Sequence, residues 1–175
     1  MKVLNAILAI ATLVSCGNTY NITGTSNVSM MDGQKLYLQV PNEDDWKNVD
    51  SCDVVHGEFA FAGRIDSAKW ATIYLDDDNP TIPLILENGD ITVKINDTPR
   101  TTSRGGTPLN DKLNEFLRGF YQIVNDGETL SSRHSQYIMD GMSEDEAKRR
   151  VAAANAKLDQ RVDDLVMKYV TENFD

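Results

Sequence analysis

From Val49 to Ile95 apolar and polar residues alternate in short runs separated by turn residues. Phe59 and Phe61 share one face of a run, with Glu58 and Ala60 on the other. Ile91, Val93 and Ile95 alternate with Thr92 and Lys94, and Ala71, Ile73 and Leu75 oppose Trp70, Thr72 and Tyr74. A period of two marks β-strands with one buried and one wet face, and it favours antiparallel pairing. The punctuation agrees. His56-Gly57, Asp76-Asp77-Asp78-Asn79-Pro80 and Asn88-Gly89 separate the runs, and Asn-Gly between alternating segments predicts a two-residue hairpin. Two earlier runs, Tyr20 to Thr25 and Lys35 to Val40, extend the series, with Asp32-Gly33 turning into the second. Pro41 to Lys47 reads as an acidic loop ending that strand. Short strands at this spacing predict an antiparallel β-sandwich or partly open barrel over residues 20–100.

The period changes after Pro99. Thr101 to Gly106 is a polar connection, and Thr107 stands where a helix N-cap belongs, with Pro108 at the first helical position. Leu109, Leu113, Phe116, Leu117, Phe120 and Val124 then recur at helical spacing, and Asp126-Gly127 predicts the helix end. Glu128 to Gly141 is weakly patterned and reads as a connector. Ser143-Glu144-Asp145-Glu146 is a capping box, opening a second helix through Ala147, Val151, Ala154, Leu158, Val162, Leu165, Val166 and Tyr169. Residues 101–175 thus form a two-helix antiparallel hairpin, packed on the sandwich or extending from it. The chain stops abruptly at Phe174-Asp175, so either Phe174 packs back or the natural polypeptide continues.

The first sixteen residues stand apart from the fold. Lys2 followed by the apolar stretch Val3 to Val14 is a signal segment too short to span a bilayer. Leu13-Val14-Ser15-Cys16 resembles the bacterial lipobox, which implies cleavage after residue 15 and diacylglycerol on the Cys16 thiol. Residues 16–19 would then be a lipidated tether. An ordinary secretory signal cut elsewhere is the alternative. Two acyl chains suffice for stable anchoring where one is marginal.

Charge and cysteine usage narrow the chemistry. The net charge is −10, and loss of Lys2 with the signal takes it to −11. That argues against nucleic acid, whose phosphates need a clustered basic surface, and against electrostatic attraction to anionic lipid. Cys52 is the other cysteine, so no intramolecular disulfide, Cys-x-x-Cys redox pair or cysteine zinc site is available once Cys16 is acylated. Alternating with Val54, it reads as a buried, inert small hydrophobe, with an intermolecular disulfide or reactive thiol as the alternative.

No catalytic motif emerges, and no cofactor is implied. His56 and His134 are far apart and lack partners at metal-ligand spacing. Asp76-Asp77-Asp78-Asn79 lacks the alternation and distal Glu of a calcium loop. Arg104-Gly105-Gly106-Thr107 before a helix is a weak anion-binding pattern, for which capping is the simpler account. Trp46, in the acidic loop, is either a local packing plug or a contact residue able to stack on a sugar ring.

Four separated motifs carry a family likeness: Val49-Asp50-Ser51, His56 to Gly63, Ile82 to Ile91 and Gly106-Thr107-Pro108-Leu109-Asn110. Over about Tyr20 to Val124 the chain resembles the domain of unknown function 4369 family, found in cell-envelope lipoproteins of Bacteroidetes-type bacteria. The resemblance implies a β-rich module that usually precedes a thioredoxin-like or peroxiredoxin-like domain, and it transfers no catalytic residue. Asp66-Ser67-Ala68 resembles the O-glycosylation sequon of those bacteria, which makes Ser67 a candidate acceptor. Gly17-Asn18 after Cys16 lacks the acidic run resembling a surface-export signal, favouring the periplasmic face of the outer membrane over the cell surface. The expected function is therefore a non-catalytic, lipid-anchored envelope module that binds or positions a protein or glycan partner. Two alternatives stand beside it. One is the N-terminal region of a thiol–disulfide oxidoreductase whose catalytic domain lies outside this chain. The other is a glycan-binding lipoprotein, which requires Trp46 to be exposed beside other aromatics.

Overall fold

The computed structural model describes residues 18–43, 45–75 and 81–174. The strands are β1 (Thr19–Ser26), β2 (Lys35–Asn42), β3 (Asp45–Asp53), β4 (Glu58–Arg64), β5 (Lys69–Tyr74), β6 (Ile82–Leu86), β7 (Gly89–Ile95) and β8 (Ser103–Gly105). Two helices follow, α1 (Pro108–Met139) and α2 (Glu144–Phe174). The strands form two four-stranded sheets, ordered β4-β1-β7-β8 and β3-β2-β5-β6. The fold is a β-sandwich followed by two helices, and the sheets do not join into a closed barrel.

The predicted alternation sets the core. Ile22, Leu36, Leu38, Ile73, Leu84, Ile91 and Val93 are almost wholly buried between the sheets, with Phe59 and Phe61 beside them. Each comes from the apolar face of a period-two run, so burying one face of each strand builds the whole core.

Pairing departs from the sequence reading in one respect. β1 runs parallel to β7, with Tyr20 opposite Gly89 and Ser26 opposite Ile95, within sheets otherwise paired antiparallel. Asn88-Gly89 is therefore not a hairpin turn between paired strands. It carries the chain from β6 in one sheet to β7 in the other. Gly89 has φ 122° while Asn88 keeps an ordinary φ, and the Asn88 Oδ1 instead accepts the Thr19 N–H at 3.0 Å. His56-Gly57 is likewise a crossing between sheets, from β3 to β4. Its tight turn has both residues at positive φ (52° and 75°) and closes through Val55 and Glu58.

Three other boundaries shift. Pro41 to Lys47 is mostly strand: β2 and β3 form a hairpin turning near Glu43 (φ 52°), with Pro41 opposite Trp46. β2 pairs with β5 only from Tyr37 to Gln39, so the N–H that Pro41 lacks leaves no gap in that ladder. Within the expected 101–106 connection, Ser103–Gly105 adds to β7 as an edge strand. Thr19, assigned to the tether, opens β1.

The helices run longer than their patterns suggest. α1 continues through Gly127 and the weakly patterned 128–139 segment, reaching 32 residues, about 48 Å at 1.5 Å per residue. Tertiary packing carries it across the glycine. Leu158 of α2 lies against Gly127, and Leu130 is buried. α1 and α2 are antiparallel, joined by Phe116 against Tyr169 (ring centroids 4.8 Å) and by Arg161 to Asp126 at 2.7 Å. The start of α1 packs on β8 and β6, and α2 packs on α1. Ser143 caps α2 through the Glu146 N–H at 3.3 Å, as its capping box predicts.

Candidate functional site

The outer face of the β3-β2-β5-β6 sheet gathers the exposed aromatics. Leu36, Leu38 and Ile73 point into the core, so register places Tyr37, Gln39 and Pro41 of β2 outward. Cross-strand partners share that face: Ser51, Asn48 and Trp46 on β3, Trp70, Thr72 and Tyr74 on β5, Pro83 and Ile85 on β6. A bulge between Leu38 and Gln39 resets the β3 register and keeps Asn48 and Trp46 on this side.

Trp46 is 44% exposed and Trp70 42%. Trp46 lies two residues beyond Asn48, the partner of Gln39. Trp70 lies two residues beyond Thr72, the other partner of Gln39, in the same direction. Both tryptophans therefore flank one end of the face. Towards the other end Tyr37 and Tyr74 sit opposite each other with ring centroids 6.0 Å apart. Between the two aromatic ends lies a polar row, in which Gln39 Nε2 donates to Asn48 Oδ1 at 2.9 Å and Thr72 is buried. None of these positions carries charge. Beyond the tyrosines, Lys35 and Asp53 pair at 2.9 Å and neutralise each other.

Trp46 is thus a strand residue and not the loop residue its acidic surroundings suggested. The alternation of Leu36, Leu38 and Val40 already put Tyr37, Gln39 and Pro41 on the opposite face. The β2–β3 hairpin extends through Pro41 and brings Trp46 beside them.

The remaining candidates do not join this face. Cys16 lies outside the described residues, as do residues 1–17 and Asp76 to Pro80 with the acidic cluster considered for calcium. Ser67 is exposed in the β4–β5 turn with Asp66 and Ala68. Cys52 is half-buried on the core side of β3, opposite Leu36, and burial pushes its thiol up from the usual range. His56 is on the β3–β4 turn, and His134 lies on α1, not in a connector. Among the described residues no group of three His, Cys, Asp or Glu is placed to hold a metal.

The helix start proposed as a weak anion site is filled from within. Thr107 occupies the N-cap position, but its hydroxyl caps no backbone N–H. Glu87, at the end of β6, puts Oε1 on the N–H groups of Leu109 (2.7 Å) and Asn110 (3.0 Å). A carboxylate satisfies the orphan donors and the helix dipole together.

An apolar cavity of about 370 Å³ opens at one end of the sandwich, between Met31, Leu36, Leu75, Ile82 and Ile95. Its wall passes through Leu75 and Ile82, which bracket residues 76–80, outside the described residues.

The arrangement as a whole is that of a small β-sandwich module with an aromatic sheet face. Residues 20–113 match the family described as Domain of unknown function (DUF4369), and the chain belongs to that family. Among solved structures, the solution structure of CBM25-1 of the beta/alpha-amylase from Paenibacillus polymyxa is similar over 53% of this chain and 96% of its own. The identity is 15% and the TM-score 0.36, and at that score the likeness carries no argument about a ligand.

Proposed function

We propose that the protein is a non-catalytic binding module, held in the cell envelope by lipid on Cys16, that takes a saccharide on the outer face of the β3-β2-β5-β6 sheet. The observation that carries this reading is the shared face of Trp46, Trp70, Tyr37 and Tyr74 around the polar pair Gln39 and Asn48. Aromatic rings offer flat apolar surface to the C–H faces of a sugar, and amides and hydroxyls exchange hydrogen bonds with its hydroxyl groups. An aromatic and polar centre without charge, bordered by the Lys35–Asp53 pair, in a chain of net charge −10, suits a neutral polyhydroxylated ligand better than an ionic one.

A protein partner fits this face less well. Protein interfaces concentrate apolar anchors at the centre and polar groups at the rim. Here the polar row is central and the aromatics flank it.

The test is binding of the purified protein to a panel of neutral polysaccharides by affinity electrophoresis and calorimetry. Retention on one of them should weaken roughly tenfold or more in Trp46→Ala and in Trp70→Ala, as for a buried aromatic contact. Retention unchanged in the double variant, or absent throughout the panel while a protein is captured through the same face, would reject the saccharide reading. The anchor has its own test: Cys16→Ala should move the protein from the envelope fraction to the soluble one. Ser67 is proposed as an O-glycan acceptor, and peptide mass spectrometry showing it only unmodified would remove it.

A further inference from the structure

We propose that Arg104 is the floor of an oxyanion-binding site at the junction of β8 and α1. This site is independent of the aromatic face and lies outside the sheet that carries it.

Arg104 is the central residue of the three-residue strand β8, paired to Val93 of β7. It is only 5% exposed, and its backbone N–H is held by Asn114 Oδ1 at 3.1 Å. Its side chain has no such arrangement. The Nε is buried without a hydrogen-bond partner, and among the described residues no carboxylate forms an ion pair with the guanidinium. Burial lowers its pKa from the usual arginine range, with Tyr121 the one neighbour that offsets this. Arginine keeps its proton in proteins, so the charge stays and needs a partner.

Unpaired buried charge is among the costliest features a fold can hold, and native proteins pair such groups or coordinate them. The cavity beside Arg104 gives the partner room. It measures about 130 Å³, enough for several waters and hence for a tetrahedral oxyanion. Arg100 and Arg118 line it with Arg104, alongside Ser103, Asn114 and Tyr121. Three of the chain's eight arginines thus meet at one small cavity in an acidic protein.

Their states differ in a useful way. Arg100 is engaged by Glu128 and Asn125 at the rim. Arg118 is exposed. Arg104 is buried with donors to spare. A guanidinium fork matches the oxygens of phosphate or carboxylate, and charge-assisted bonds of that kind are the strong ones. The ligand class is therefore a small oxyanion, either free or as the phosphate or carboxylate terminus of a larger molecule. The helix N-terminus plays no part, because Glu87 already occupies it.

The test compares the purified protein with Arg104→Met, which keeps the apolar stem and removes the guanidinium, and with Arg118→Ala at the exposed rim. Inorganic phosphate and acetate are titrated at constant ionic strength against chloride, reading Tm and the arginine Nε–H resonances by NMR. Wild type should show a saturable rise in Tm and a shift of one buried Nε–H with phosphate, acetate or both. The two probes distinguish a phosphate from a carboxylate source. Arg118→Ala should weaken the midpoint roughly tenfold, as expected for loss of a charged hydrogen-bond donor. Arg104→Met should lose the response and, without added oxyanion, melt no lower than wild type, since its buried charge is gone. A purely structural Arg104 predicts the opposite, a lower Tm with the phosphate response retained. That result would overturn the proposal, as would the absence of any saturable response in wild type. Should Arg104→Met fail to fold, the wild-type Nε–H shift and the Arg118→Ala midpoint decide the matter.

Discussion

Asn110, on the first turn of α1, hydrogen-bonds both backbone groups of Ile85 on β6. Its Oδ1 accepts the Ile85 N–H at 2.9 Å, and its Nδ2 donates to the Ile85 carbonyl at 2.7 Å. A side-chain amide thus stands in for the next strand at the edge of the β3-β2-β5-β6 sheet. Nδ2 also reaches Thr107 Oγ1 at 2.9 Å, and the residue is wholly buried. The same two elements are tied a second time by Glu87 on the helix N-terminus. This is the physical content of the Gly106-Thr107-Pro108-Leu109-Asn110 motif: it welds the helical hairpin to the sandwich.

Asn110→Leu should therefore destabilise strongly. It leaves a strand N–H and carbonyl buried without partners, each at about 1–3 kcal/mol. A loss of about 3 kcal/mol in urea denaturation is expected, and a loss under 1 kcal/mol would show that the sheet edge finds water instead.

Gly106 opens that motif at φ 87°, and a Cβ there would lie 2.5 Å from the Asp90 carbonyl oxygen. Both the backbone conformation and the contact exclude a side chain. Gly106→Ala should cost about 2 kcal/mol or more, beyond the roughly 1 kcal/mol of a left-handed residue alone. Gly33→Ala makes the control, with a similar φ of 78° and open space around it. Equal losses in the two variants would remove the steric part of the argument.

Acid should weaken the join between the 96–102 loop and α1. Hydrogen bonding from Arg100 holds the Glu128 carboxyl below the usual carboxylate range. A carboxyl whose pKa is depressed on folding contributes its stability above the unfolded value and loses it as pH falls through the folded one. The pair is solvent-exposed, so the effect is small and screened by salt. The difference in Tm between wild type and Glu128→Gln should shrink as pH drops from 6 to 3, and shrink further in high salt. A difference constant across that range would place the interaction elsewhere.

Cys52 should react slowly with thiol reagents. It is half-buried, and desolvation raises its pKa, so the thiolate that attacks is scarce at neutral pH. Alkylation in the native protein is expected to lag the urea-unfolded protein by about tenfold or more. Equal rates would reinstate the reactive-thiol reading.

The strands, their inward faces and the helical character of the C-terminal third follow from residues a few positions apart. Period-two alternation decides which face of each run is apolar, and hydrophobic burial does the rest. Ser143-Glu144-Asp145-Glu146 and His56-Gly57 are equally local, and each does in the structure what its residues require.

What local pattern does not contain is the choice of neighbour. Asn88-Gly89 is compatible with a hairpin or with a crossing between sheets, and β1, paired to a strand 69 residues away, settles it. Gly127 stops an isolated helix, but not one with Leu158 packed against it. Trp46 reads as a loop residue until the β2–β3 ribbon brings it to the face of Trp70, Tyr37 and Tyr74. The sequence by itself determined most of the strands, their apolar faces and the acidic surface, but not β8 or the β2–β3 ribbon around Pro41. Only the tertiary structure decided which strands are neighbours, where α1 ends and which aromatics meet. Those outcomes depend on contacts between distant residues, whose free energy exists only once the chain has closed on itself.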